Sequence, residues 1–117
     1  MSTYSKSKKL TRTFGHRKAL LRNMLSSLIM HESIRSTGAK IHVLKPLAEK
    51  IISRAKKNDL TARRLVSRYV NDKQAIKKLF EVLVPRYANR VGGYVRVFRL
   101  GQRLTDNADM ALIKLLS

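Results

Sequence analysis

The feature that most limits the fold is a change of period along the chain. From Leu21 to Leu83 most apolar residues recur three and four apart, as on the buried stripe of a helix; after Tyr94 a strand's alternation takes over, with Val95 and Val97, then Ala111, Ile113 and Leu115, on one side. A chain patterned this way must cover a small sheet with helices. Leu21, Met24, Leu25, Leu28 and Ile29 mark a first helix over residues 16–31, with Lys18, Arg22 and Ser26 on its other side. The β-branched, alternating run Ser33 to Thr37 reads as a short strand. Thr37 is placed to cap a second helix over Ala39 to Lys57 that buries Ile41, Leu44, Ala48, Ile51, Ile52 and Ala55, with a kink or restart at Pro46. Asp59 and Asp72 open two further helices. One carries Ala62, Leu65, Val66, Tyr69 and Val70 inward; the other carries Ile76, Leu79, Phe80 and Leu83 and ends at Pro85. Two strands follow, Tyr94 to Leu100 and Met110 to Leu116, joined by a polar loop long enough to be mobile. The expected fold is α+β, a two-layer domain in the order α-β-α-α-α-β-β, with a small mixed three-stranded sheet packed against helices. Residues 1–15 form a basic arm, and residues 16–117 one globular domain.

Charge limits what such a domain can do. The chain holds 26 Lys and Arg against 7 Asp and Glu, a net charge of +19, and Glu32 is its first acid. Hydrophobic residues make up 44% of it, enough for a core, so this is not a disordered polycation. Self-repulsion on that scale calls for a polyanionic partner. No apolar run approaches the roughly 18 to 20 residues that cross a bilayer, and no apolar segment follows the N-terminal charges as in a secretory signal. Cysteine is absent, which removes disulfides, thiolate zinc sites and a cysteine nucleophile.

The inventory for catalysis is thin. His16, His31 and His42 share no metal-ligand spacing, the acids are scattered, and no nucleotide-binding or nucleophile-elbow motif occurs. His16 reads equally as an RNA contact or as a helix-capping residue. Glu49 is within reach of Lys45 and Lys50. The basic residues are better organised. Arg63, Arg64 and Arg68 share one helix with no acid between Asp59 and Asp72, and arginine can fork two phosphate oxygens. Arg86, Arg90, Arg96 and Arg99 surround Gly92-Gly93, where backbone can approach a phosphate closely, and Tyr87 and Tyr94 are available to stack on bases or riboses. A glycine pair opening a strand is also the ordinary mark of a turn. The expected RNA contacts are Lys6, Lys8, Lys9 and Arg12 in the arm, then His16, Arg17, Arg22, Arg35, Lys40, Arg63, Arg64, Arg68, Arg86, Tyr87, Arg90, Gly92, Gly93, Tyr94, Arg96, Arg99 and Arg103.

The order of these motifs resembles one family. Lys9-Leu10-Thr11-Arg12, His16-Arg17, Arg22-Asn23-Met24, Ile34-Arg35-Ser36-Thr37 and Ala62-Arg63-Arg64-Leu65 lead to Pro85-Arg86-Tyr87 and Arg90-Val91-Gly92-Gly93-Tyr94-Val95-Arg96; Asp106-Asn107-Ala108-Asp109-Met110-Ala111 closes the match. Together they are similar to the bacterial-type ribosomal protein family numbered seventeen of the large subunit, from Lys8 onward. Phe14-Gly15 stands where that family usually has serines, and Ser7 where it has glycine. The resemblance implies a structural protein bound to large-subunit ribosomal RNA near the outer end of the polypeptide exit tunnel. It implies neighbouring ribosomal proteins as partners, with no catalysis, cofactor, small-molecule substrate, membrane or homo-oligomer. The location implied is the cytoplasmic ribosome of a bacterium, an organellar ribosome being the alternative. A histone-like DNA binder and an RNA-processing enzyme are the rival readings; neither a dimer seam or minor-groove wedge nor a catalytic constellation is present to favour them.

Overall fold

The computed structural model describes residues 14–117, the backbone alone at Phe14, so the expected arm contacts Lys6, Lys8, Lys9 and Arg12 lie outside the described residues. The first helix, α1 (Phe14–His31), takes in Phe14 and Gly15, which the sequence pattern leaves to the arm. It buries Met24, Leu25, Leu28 and Ile29 as the spacing predicts, and also Ser26, which the spacing puts on the outer side. At its end Glu32 turns to φ 64°, and its N–H closes on the Leu28 carbonyl at 2.7 Å.

Strand β1 (Ser33–Thr37) leads directly into α2 (Gly38–Ala55). Thr37 occupies the capping position, but its side chain makes no cap hydrogen bond. Helix α2 passes Pro46 as a single element, so the expected restart is not found. The proline sits on the exposed side and withholds only one N–H, while the whole predicted face from Ile41 to Ala55 is buried and holds the helix down. The Asp59 carboxylate accepts from the Ala62 N–H at 2.7 Å and opens α3 (Leu60–Tyr69). Asp72 accepts from the Gln74 N–H at 2.9 Å and opens α4 (Lys73–Lys78). The run then widens into a π-helical turn, Leu79–Leu83, and closes with one turn, α5 (Val84–Arg86), one residue past the expected stop at Pro85. In the wide turn the Val84 N–H reaches back five residues to Leu79, and Leu79, Phe80 and Leu83 are all buried.

Strands β2 (Val95–Gln102) and β3 (Asp109–Leu115) complete a three-stranded sheet in the order β1-β3-β2. Every pairing is antiparallel, which corrects the expected mixed sheet. Strands β1 and β2 do run the same way, but β3 lies between them, so no parallel ladder forms. The loop between β2 and β3 is a tight hairpin end: Arg103 and Ala108 pair at 2.8 Å, and Asn107 takes φ 57°. Register places Ile34, Ile113 and Val97 side by side on one face, and Arg35, Leu112 and Phe98 side by side on the other. Helices α1 and α2 cover the first face, where Ala111, Ile113, Leu115 and Val95 join Leu25, Leu28, Leu44 and Ile51 in one core.

Candidate nucleic-acid interface

The segment around the glycine pair divides into two parts with different jobs. Tyr87 and Tyr94 are each only 1% exposed, so their rings cannot stack on RNA bases as the sequence suggests. They pack against each other in the core at 5.2 Å between centroids. The Tyr87 hydroxyl donates to the Leu116 carbonyl, and burial raises its pKa above the usual phenol value. The Tyr94 hydroxyl meets the Lys56 ammonium at 3.0 Å, and Lys56 also donates to the Arg90 carbonyl. Glu49 does not turn to Lys45 or Lys50; its carboxylate accepts the backbone N–H groups of Tyr94 at 3.0 Å and Val95 at 3.3 Å, fixing the entry into β2. Arg90 donates to the Gly93 carbonyl at 3.2 Å, and Gly93 takes φ 67°. The turn therefore needs Gly93 for its backbone, whereas Gly92 has no such requirement.

Arg86 is likewise engaged. Its two terminal nitrogens fork the Glu32 carboxylate at 2.5 and 3.2 Å, and Lys78 approaches the same carboxylate at 3.1 Å. The Arg86 hydrogen bonds, assisted by Lys78, hold the Glu32 pKa down at about 2, and the same carboxylate raises that of Arg86. Because the Glu32 carbonyl also accepts from the Leu115 N–H at 2.8 Å, this cluster ties the end of α1 to α5 and β3. Arg103 is paired with Asp106 at 2.8 Å in the exposed hairpin turn, and that pairing lowers the Asp106 pKa to about 2.

Three surfaces present basic groups to a polyanion. On the uncovered face of the sheet, register brings Arg96, Lys114 and Ser33 into one row and Phe98, Leu112 and Arg35 into the next. Phe98 is 46% exposed there, an aromatic ring set on a strand among three cations, and among the described residues no helix packs over it. On α3, Arg64 and Arg68 are exposed one turn apart, while Arg63 folds over the Phe80 ring at 4.4 Å and donates to Asn58 at 3.0 Å. On α1, His16 is exposed and Arg17 and Arg22 are half-buried, as is Lys40 in the first turn of α2. Arg99, expected beside Arg96, points to the opposite face of β2, because the two are an odd number of residues apart on a strand. Five of the seven acids, Glu32, Glu49, Asp59, Asp72 and Asp106, are taken up by internal hydrogen bonds, and the other two, Glu81 and Asp109, are exposed.

A model of the family described as ribosomal protein L17 matches residues 20–116, from the middle of α1 to the end of the sheet. The chain belongs to the ribosomal protein L17 family. It is 44% identical over 117 residues to large ribosomal subunit protein bL17 of Endomicrobium trichonymphae, covering 100% of this chain and 99% of that protein. It is 47% identical over 108 residues to the bL17 of Halothermothrix orenii, covering 92% and 95% of the two chains. As an L17 family member the protein is a structural constituent of the ribosome in translation and not an enzyme. Among the described residues no three His, Asp or Glu side chains come together as a metal site, and no helix is long and apolar enough to cross a membrane.

The expected contact set lacks Phe98, Leu112 and Lys114. The alternation of Ala111, Ile113 and Leu115, all buried as the sequence predicts, already turns Leu112 and Lys114 to the other side of β3. What it does not carry is which residues of β1 and β2 stand beside them, because that register is set by long-range pairing.

Proposed function

We propose that this L17 family member binds and stabilises large-subunit ribosomal RNA, near the outer end of the polypeptide exit tunnel, through the uncovered face of its sheet. One observation carries the reading: Phe98 stands 46% exposed between Arg35, Arg96 and Lys114 on a face that the described helices leave open. An exposed aromatic on a pleated surface offers a stacking platform for an unpaired base or a ribose. The flanking cations neutralise the phosphates on either side. Arg64 and Arg68 on α3 supply a second phosphate-binding surface, and the α1 residues His16, Arg17 and Arg22 a third. The partners on this reading are large-subunit RNA and adjoining ribosomal proteins, and the location is the cytoplasmic ribosome.

The experiment is sedimentation of the tagged protein from cell extracts. It should travel with large subunits, resist a moderate salt wash, and be released at lower salt when Arg35 and Arg96 are both changed to Gln. Recovery on chromosomal DNA, or only as free protein, overturns the reading.

A further inference from the structure

On the opposite, helix-covered side of the sheet, the cover is incomplete at one end. Between the first two turns of α2 and the distal half of the β2–β3 hairpin lies a groove of about 700 Å³. It exists because its walls are built from small residues, Gly38 and Ala39 on the helix and Gly101 at a β-bulge on β2, where Leu100 is the extra residue. The floor is apolar: Ile41 and Ala111 belong to the core, and Val97 is 38% exposed. The rim carries two cations, Lys45 on α2 and Arg99 facing it from β2, with His42 one turn from Lys45 and Asp109 the acid at one end.

We infer that this groove takes one unstacked nucleotide of the bound RNA, its base on the apolar floor and its phosphate against Lys45 and Arg99. A site for phosphate alone needs no apolar floor, and an apolar peptide side chain gains nothing from two cations on the rim. A nucleotide has both a flat, largely apolar face and a charge, and single-stranded RNA segments splay such nucleotides out. The inference rests on the RNA-binding reading but uses the other face of the sheet. RNA would then engage both sides of the β2–β3 hairpin, Phe98 on one and Val97 with Arg99 on the other.

The chain has no cysteine, so Ala39→Cys places a unique thiol at the exposed wall of the groove. The full-length variant is mixed with a large-subunit RNA transcript and labelled with a maleimide. The expected result is loss of labelling that titrates with the same midpoint as RNA binding measured on the parent. Lys45→Gln and Arg99→Gln should each lower the salt slope of binding by about 1 while leaving the urea midpoint in place. Ala39→Leu, which fills the groove without altering charge, should weaken binding. RNA binding with the introduced thiol still labelled at its free rate, or an Ala39→Leu protein that binds as tightly as the parent, overturns the groove and leaves the sheet-face reading intact. Protection that needs other ribosomal proteins added makes the occupant a protein and overturns the nucleotide. No binding to the transcript by the parent chain overturns the RNA reading itself, and the groove with it.

Discussion

Glu32→Gln isolates the charge cluster that joins α1 to α5 and β3. The substitution keeps the side chain's length and leaves the left-handed backbone at residue 32, φ 64°, with a similar residue. What it removes is the negative charge facing Arg86 at 2.5 Å and Lys78 at 3.1 Å. Lowering a carboxyl pKa from 4.5 to about 2 corresponds to a ceiling of about 3 kcal/mol of folding free energy. The Glu32 side chain keeps 34% of its exposure, so solvent screening reduces this, and a loss of about 1–2 kcal/mol at neutral pH is expected. A carboxylate whose pKa is depressed on folding contributes stability that is fully present above its unfolded value of 4.5 and disappears as pH falls towards about 2. The difference between parent and variant should therefore be constant from neutral pH down to about 5 and shrink across that window. Urea unfolding followed by circular dichroism, with tyrosine emission as the second probe because tryptophan is absent, measures it. A difference that stays flat down to pH 2, or no difference at neutral pH, refutes the assignment of this cluster as an electrostatic tie.

Phe98→Ala should cost about 1 kcal/mol of stability, because about half of the residue's surface is covered and it pairs across to Leu112. If a base stacks on the ring, it should cost about 1–3 kcal/mol of RNA affinity in a filter-binding titration. A variant that unfolds easily yet binds normally when folded would make Phe98 a packing residue. Gly93→Ala should lose about 1–2 kcal/mol of stability, since φ 67° disfavours a side chain, whereas Gly92→Ala should lose none; equal urea midpoints for the two would contradict the turn assignment. Tyr87→Phe removes the hydroxyl that reaches the Leu116 carbonyl and should cost about 1 kcal/mol, read as a shift in thermal midpoint without any change in the salt slope of RNA binding.

The helices were legible because periodicity is a local property: each of the six residues predicted for the inner face of α2 is buried. Asp59 and Asp72 were legible as caps for the same reason, since a cap and its donor lie within three residues of each other. The RNA-contact set was less legible. The run from Arg86 to Tyr94 reads as a basic, aromatic binding segment, yet Tyr87 and Tyr94 are core and Arg86 answers Glu32, 54 residues away. A sequence shows residue types in order, and a tyrosine bound for the core looks the same as one bound for a base. The partners that distinguish them come from elsewhere in the chain.

By itself, then, the sequence determined the α+β class, the order of elements, the two aspartate caps and the excess of positive charge. Those follow from composition and from spacing within about one or two helical turns. The tertiary structure alone decided that β3 runs between β1 and β2 and that the sheet is antiparallel throughout. It also separated Arg96 from Arg99 and turned Glu49 to the Tyr94 and Val95 amides rather than to its neighbouring lysines. These depend on long-range pairing. A strand's alternation separates the buried side, Ala111, Ile113 and Leu115, from the side of Lys114; only the long-range register says which residues of β1 and β2 stand beside Lys114 on the open face.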